Sequence, residues 1–523
     1  MNRFKRFIFN GLLLTAVSLI MRGVGVSFNV YISNTVGAEA MGLFTLISTV
    51  YGFAITFATS GVNLAATRLV SESLGEISST GIRIRNGKTA SVRMVVGKCV
   101  AYSLFFGILS ALALFIGAPV ISRNILRDAR CLSSLKLLSL SLPPIAVSSA
   151  LSGYFTAVRR VYKNAIVQVT EQLVKIFACS ALLTVFFADD AESACICVVA
   201  GGVIAELISF AVQVMMYFCE KKDDSTNSLP APDKTVKSKL LGIALPVAFS
   251  AYLRSGLITI EHILIPWGLE RSGASKERSL AAYGTVHSMV FPVVFFPSAI
   301  LSSFAGLLVP EVSQAAAEKK WNEIDRIVSN VFETALIFSI GTAGIMSCFS
   351  YELGNIIYPQ TDAGRYIRMI APLIPVMYLD TATDAMLKGL GQQVYSMGVN
   401  IVDSLLSVIL VVILLPRFGI DGYIMTVYFT ELINATLSIT RLITVSKIKP
   451  RVIMRVIKPL ICTVISTTLV KQLSLLPSRL SSNTLQVVLH VSLTVAVYLS
   501  LLFLLGTLKT KKIKKGLKLL TNK

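Results

Sequence analysis

The chain has 523 residues, 54% of them hydrophobic and 15% charged, with a formal net charge of +21 and a mean hydropathy of +0.72. A soluble protein carries about 25% charged residues, and apolar runs of about 18 or more residues recur along the whole chain, so a water-soluble enzyme or a string of soluble domains is excluded. The basic excess does not point to nucleic acid, because Lys and Arg cluster in the short loops between apolar runs, the pattern of the positive-inside rule.

The first apolar stretch follows a basic start (Arg3, Lys5, Arg6). It is too long for a signal peptide and lacks a small-residue cleavage site, so it reads as a retained helix. Fourteen spans follow from hydropathy: 7–32, 42–70, 97–117, 131–155, 164–188, 193–218, 240–267, 280–309, 329–349, 367–390, 394–415, 421–441, 453–475 and 485–507. The fold class is therefore an all-α membrane protein. An even number of spans puts both termini on one side. With the N-terminus cytoplasmic, 33 of the 49 Lys and Arg fall on the inner side and 11 on the outer, with five inside spans. That bias places both termini in the cytoplasm.

The longest inner loop, "CEKKDDSTNSLPAPDKTVKSK", is polar and rich in Pro, Ser, Lys and Asp, as a linker should be. The expected organisation is an N-lobe at 1–218, a linker at 219–239, a C-lobe at 240–445, and two further helices with a basic cytoplasmic tail at 446–523. The lobes read as a repeat. "GLLLTAVSLIMRGVGVSFNVYI" from Gly11 aligns with "IALPVAFSAYLRSGLITIEHIL" from Ile243, so that Arg22 meets Arg254, 232 positions on. At the same offset Gln168 and Glu171 meet Asn400 and Asp403; at a shifted one Glu206 meets Glu431. A six-helix repeat keeps its orientation, so the lobes should be related by an axis along the membrane normal with a central site.

Arg22 and Arg254 lie near the middles of spans 1 and 7. An arginine there costs at least about 2.5–3.5 kcal/mol and faces a bundle interior or a watery cavity. The functional reading is a pair of guanidinium groups for an anionic substrate, since guanidinium forks onto phosphate. The bland reading is that each neutralises a carboxylate, Glu261 about two turns along from Arg254, or Glu171. Arg68 near the inner end of span 2 either helps bind substrate or snorkels to the surface. Glu171 with Lys175, and Asp384 with Lys388, have the spacing of local helix pairs. Glu206 and Glu431 bind a coupling H+ or Na+ or tie helices together; Asp380 and Asp403 carry the same two readings. His262, His287 and His490 are intramembrane, with a proton relay as the sharper reading. Pro292 and Pro297 in span 8 predict a bend. Cys195 and Cys197 are the one close cysteine pair, read as core filling rather than metal or redox chemistry.

No Walker A, GxSxG, HExxH or Cys/His metal spacing occurs in the sequence. A non-enzyme without cofactor or metal is expected.

"GLLLTAVSLIMRGVGVSFNVYISNTVGAEAMGLFTLIST", "GVNLAATRLVSE", "RSGLITIEHILIPWGL" and "LKGLGQQVYSMGVNIVDSLLSVILVVILLPRFGIDGY", on a plan of six, six and two helices, resemble the multidrug/oligosaccharidyl-lipid/polysaccharide exporter superfamily. Within it the likeness is to the polysaccharide biosynthesis branch and its stage V sporulation protein B group. The resemblance implies a bacterial cytoplasmic membrane flippase for an undecaprenyl-pyrophosphate-linked sugar, a peptidoglycan precursor such as lipid II for the spore cortex, working by alternating access. It implies Arg22, Arg68 and Arg254 as the substrate site, to which the position of Glu261 on the Arg254 helix adds that carboxylate; the arginine-rich first-helix motif of that branch is here reduced to Arg22. Expected partners are the lipid-linked oligosaccharide, the bilayer, a coupling H+ or Na+, and cell-wall synthesis enzymes. The alternatives are a cation-coupled exporter of drugs and a non-transporting scaffold for cell-wall enzymes.

Overall fold

The computed structural model describes residues 3–79, 92–186, 190–220, 233–359, 361–446, 452–474 and 483–506. Most of the 219–239 linker and the basic tail after 506 lie outside the described residues.

The described residues are nearly all helical, and the helices run as fourteen spans. Eight helices are long and apolar enough to cross a membrane, and the bent pair Cys131–Ser139 and Leu142–Ala157 makes a ninth. Two doubled runs, two interrupted spans (8 and 10) and the less apolar helix Val452–Ser474 account for the remainder. Spans 1 and 2 form one continuous helical run, Arg3–Thr59, broken at Gly37 (φ 83, ψ 169). That conformation costs a residue with a Cβ about 1–2 kcal/mol and glycine almost nothing. Spans 11 and 12 are likewise merged in Gln393–Ser446 and broken at Gly419 (φ 59, ψ −138). A 54-residue helix would extend about 80 Å at 1.5 Å per residue, far beyond a bilayer of about 30 Å, so each must be two crossings.

Proline places the interruptions. Pro143 and Pro144 open Leu142–Ala157 and leave a 44° bend against Cys131–Ser139, because neither ring nitrogen can donate to the turn before it. In span 8, where a bend is expected, the helix is interrupted: Phe291–Phe295 stops and Ser298–Ala317 begins at the Phe296–Pro297 junction. Span 10 starts with Ala363–Ile370, tightens to a 3-10 turn over Ala371–Leu373, and resumes as Ile374–Gly389, with Pro372 and Pro375 near the junctions. A short amphipathic helix, Ser350–Ile357, precedes it and is not visible in hydropathy, being too short to span.

By internal packing the residues fall into two units. One holds 1–28 and 35–284, the other 29–34 and 285–523. In the first unit, span 7 (in Asp233–Arg271) packs on span 2 and its continuation Val62–Ser79. Span 2 and the start of span 8 touch at two glycines: a Cβ on Gly42 would strike the Leu280 carbonyl, and one on Gly284 would lie 2.5 Å from the Gly42 nitrogen. In the second unit, spans 13 and 14 (Val452–Ser474 and Asn483–Leu504) dock on span 9 (Trp321–Cys348). A Cβ on Gly341 would sit 2.7 Å from the Tyr498 ring, and one on Gly344 would overlap Thr463, so only hydrogen permits this approach. Small residues at helix contacts are how membrane helices gain packing without a hydrophobic driving force.

The backbone carries the repeat seen in the sequence. Residues with positive φ mark equivalent turns: Gly37 and Gly273 before spans 2 and 8, and Arg159 and Gly391 between spans 4–5 and 10–11, the latter pair again 232 apart. Asn164 donates to the Ser152 carbonyl, and the hydroxyl of Ser396 donates to the Asp384 carboxylate; these two pairs also differ by 232 positions.

Candidate functional site

Arg22, Arg68, Arg254 and Glu261 all belong to the first packing unit. Arg22 and Arg254 keep exposed side chains on otherwise apolar spans, whereas Glu261 is half-buried. Span 7 turns Tyr252, Ser255 and Thr259 toward span 2: the Tyr252 and Ser60 hydroxyls share a 2.5 Å hydrogen bond, Thr56 donates to Ser255 at 3.3 Å, and Thr259 donates to the Thr49 carbonyl at 3.4 Å. At about 100° per residue, Arg254 points roughly opposite to that face, and Glu261, seven residues on, returns to Arg254's side. Span 1 approaches span 5 at Gly25, where a Cβ would lie 3.8 Å from the Gln172 amide nitrogen. Arg22 is one turn before Gly25. Arg22 and Glu261 each take part in a polar, ring or electrostatic interaction within the structure.

Arg68 has a side chain 64% exposed and pairs with Glu72 at 3.0 Å, one turn along; Glu72 is also 3.8 Å from Lys239. Its nearest anion is thus a local carboxylate. At such exposure the pair contributes only about 0.2–1 kcal/mol, so it does not prevent Arg68 from meeting a stronger anion.

The remaining candidates form two carboxylate groups. Glu171 of span 5 and Glu206 of span 6, both half-buried, repel one another, with Lys175 offsetting both. Asp380, Asp403 and Glu431, from spans 10, 11 and 12 of the second unit, repel one another in the same way. Three acids contributed by three neighbouring helices can share a proton more readily than they can all stay charged; among the described residues no group of three or more His, Cys, Asp or Glu could hold a metal ion. Asp384 and Lys388 form the expected i,i+4 pair at 2.7 Å. Each histidine lies against an aromatic ring: His262 Nδ1 is 2.6 Å from the Tyr283 hydroxyl, His287 is 5.2 Å from the Phe291 and Tyr423 rings, and His490 stacks on Phe349. Cys195 and Cys197 are buried free thiols and fill the core.

Two charged networks escape sequence reasoning, because their members lie far apart in the chain. Before span 4, the Asp128 side chain is 3% exposed and receives Arg130 Nη2 at 2.9 Å and Lys276 Nζ at 3.3 Å, while Arg130 Nη1 reaches Glu39 at 2.8 Å. Burial would raise the Asp128 carboxyl, but the Arg130 hydrogen bonds and the charges of Arg130 and Lys276 outweigh it and hold it below the usual carboxylate range. After span 4, at its other end, Glu220 accepts from Tyr154 at 2.6 Å and pairs with Lys163 at 3.3 Å and with Arg160. A loop acid flanked by three basic residues (Arg123, Arg127, Arg130) was the one available signal for the first network.

Comparison with known proteins gives a consistent picture. Residues 8–315 match the family model described as "Polysaccharide biosynthesis protein", and residues 273–413 match the MatE model. The chain is 25% identical to stage V sporulation protein B of Bacillus subtilis (strain 168) over 452 residues, covering 85% of this chain and 84% of that protein. It is 22% identical to lipid II flippase MurJ of the same organism over 458 residues, 82% of this chain and 81% of that one. Among solved structures, lipid II flippase MurJ in an inward closed conformation superposes with a TM-score of 0.70 at 12% identity, covering 94% of this chain and 98% of the other. An inward-facing multidrug resistance MATE family transporter of the MOP superfamily gives 0.64, also at 12% identity, with coverage of 82% and 96%. These likenesses carry the fold.

Proposed function

The chain belongs to the polysaccharide biosynthesis protein family, within the multidrug/oligosaccharidyl-lipid/polysaccharide exporter superfamily, and from that premise we propose that it is a cytoplasmic membrane flippase for an undecaprenyl-pyrophosphate-linked sugar. The observation that carries the reading is the repeat-related pair Arg22 and Arg254, each exposed on an apolar span. A guanidinium cannot discharge by losing its proton at any accessible pH. An arginine on such a span faces a bundle interior or a watery cavity rather than lipid, and a pyrophosphate supplies two phosphates for two forks.

In this reading Arg22 and Arg254 hold the pyrophosphate, and Glu261, on the Arg254 side of span 7, sets the orientation of that guanidinium. Arg68, loosely held by Glu72, recruits the headgroup at the membrane surface. Both termini are cytoplasmic, and residues 1–218 and 240–445 alternate access as the two halves of the repeat. Glu171, Lys175 and Glu206 in one half and Asp403 and Glu431 in the other are the candidate coupling groups for H+ or Na+. The substrate is a peptidoglycan precursor such as lipid II, made for the spore cortex; the relative named for sporulation and the one named for lipid II support that choice.

The test is translocation of a fluorescent lipid-linked precursor in proteoliposomes. Arg22→Ala and Arg254→Ala should each abolish flipping while insertion and yield stay as in the wild type. Wild-type flipping by both variants would remove the assignment. Loss on Glu206→Gln or Glu431→Gln together with drug efflux by the wild type would favour the cation-coupled exporter instead.

A further inference from the structure

Away from the arginine pair, a cavity of about 540 Å³ opens between the Cys348 end of span 9, the Ser350–Ile357 helix, the start of span 10 and the last turns of span 13. Its lining is divided along its length. At the far end of span 13 lie the charged groups, Arg368, Lys471 and Glu352. All three act electrostatically on Cys348, so they share one small region. The Arg368 guanidinium sits over the Tyr351 ring, 5.7 Å from its centre, which limits where it can swing. Toward the middle of the span the wall becomes aliphatic, with Ile340, Leu460 and Val464. Between them, Thr463 and Thr467 face the cavity.

We propose that this cavity binds one anionic phospholipid of the surrounding leaflet, with its phosphate between Arg368 and Lys471 and part of one acyl chain along Ile340, Leu460 and Val464. Two cations against one carboxylate leave a net charge of +1 at the mouth, matched by one phosphodiester. Lys471 to Leu460 is eleven residues, or about 16 Å of helix at 1.5 Å per residue, long enough for a headgroup and the first stretch of chain. A free phosphate would satisfy the cations and leave the aliphatic wall wet. A hydrocarbon without a charge would cover two cations and one carboxylate and leave the excess positive charge unmatched, which costs several kcal/mol. An amphiphile satisfies both ends. Because span 13 supplies one wall and spans 9 and 10 the other, the lipid would also bind the two terminal helices to the repeat. The inference does not rest on the flippase reading: no residue of the arginine pair takes part.

The full-length protein in neutral detergent is titrated with dioleoyl phosphatidylglycerol, dioleoyl phosphatidylcholine and inorganic phosphate, with bound species counted by native mass spectrometry. Phosphatidylglycerol should bind in one equivalent at least about tenfold more tightly than phosphatidylcholine, as a charge-assisted contact requires, and phosphate alone should not be retained. The double variant R368Q/K471Q, whose side chains are exposed and whose fold should be unchanged, should lose the preference between the two lipids. Ala343→Phe, which fills the aliphatic end with the charges intact, should weaken both lipids. Equal binding of the two lipids by the wild type, a preference surviving in R368Q/K471Q, or retention of phosphate alone would each overturn the proposal.

Discussion

The docking of the last two helices on span 9 is open to a quantitative test at Gly341 and Tyr498. The Tyr498 hydroxyl donates to the Ile337 carbonyl at 2.7 Å, which fixes the ring against span 9. A Cβ on Gly341 would meet three atoms of that ring, at 2.7, 3.1 and 3.3 Å. Carbon atoms are in comfortable contact at about 3.5–4.0 Å, so Gly341→Ala must push the ring back by about 0.8 Å or more. The ring cannot rotate away without stretching its hydrogen bond. Overpacking of this kind costs about 1–3 kcal/mol, and loss of the hydrogen bond adds about 1 kcal/mol. Tyr498→Leu removes the hydrogen bond and part of the buried surface, and costs about 1–2 kcal/mol on its own. In the double variant, leucine vacates the space that the new methyl needs. The two changes should therefore be non-additive: G341A/Y498L should be more stable than the sum of the single effects predicts, by about 1 kcal/mol or more. The assay is an unfolding titration of purified protein in mixed micelles, read on all four members of the cycle. Strict additivity, or a Gly341→Ala variant as stable as the wild type, would refute the close approach of spans 9 and 14.

Asp128→Asn should lower stability by about 1–2 kcal/mol at neutral pH, since the carboxylate is buried while its partners Arg130 and Lys276 stay partly exposed to screening water. The Asp128 carboxyl is held below its ordinary value in the folded protein. Its contribution is therefore present above the unfolded value of about 3.9 and is lost as pH falls through the lower folded value. The gap between wild type and variant, followed by thermal unfolding across pH, should stay level near neutrality and close on acidification below about pH 4; a gap that widened with acid would contradict the network. Glu220→Gln leaves Lys163, itself 11% exposed, without its carboxylate. It should cost about 3 kcal/mol, the lower end for a broken buried pair, because Arg160 keeps that site partly wet; a change under about 0.5 kcal/mol would show that the cluster is only a surface contact.

Hydropathy marked most of the crossings, because eight helices and one bent pair are long and apolar enough to cross a membrane by that test. Of their interruptions, the one at Pro297 was legible; those at Pro143–Pro144 and at Pro372–Pro375 emerge only in the structure. The turn at Arg159 was hidden, since a left-handed arginine looks like any other loop residue, whereas its repeat partner Gly391 is the residue such a turn prefers. The Ser350–Ile357 helix was missed because eight residues cannot register as a span. Local pairs such as Asp384 with Lys388 could be read from i,i+4 spacing. Networks such as Glu39 with Arg130, 91 positions apart, could not, because only the folded chain brings them together. Arg22 and Arg254 were found through the internal repeat, and the structure adds that both remain exposed.

The central claim is that these two arginines hold the pyrophosphate of a lipid-linked substrate. The most direct measurement is equilibrium binding of an undecaprenyl-pyrophosphate-linked sugar to the purified protein and its Arg22→Gln and Arg254→Gln variants. Each guanidinium makes charge-assisted hydrogen bonds contributing about 1.5–3 kcal/mol, so each variant should bind about 10- to 100-fold more weakly, with Arg→Lys falling between. Affinity unchanged from the wild type in both Gln variants would contradict the account.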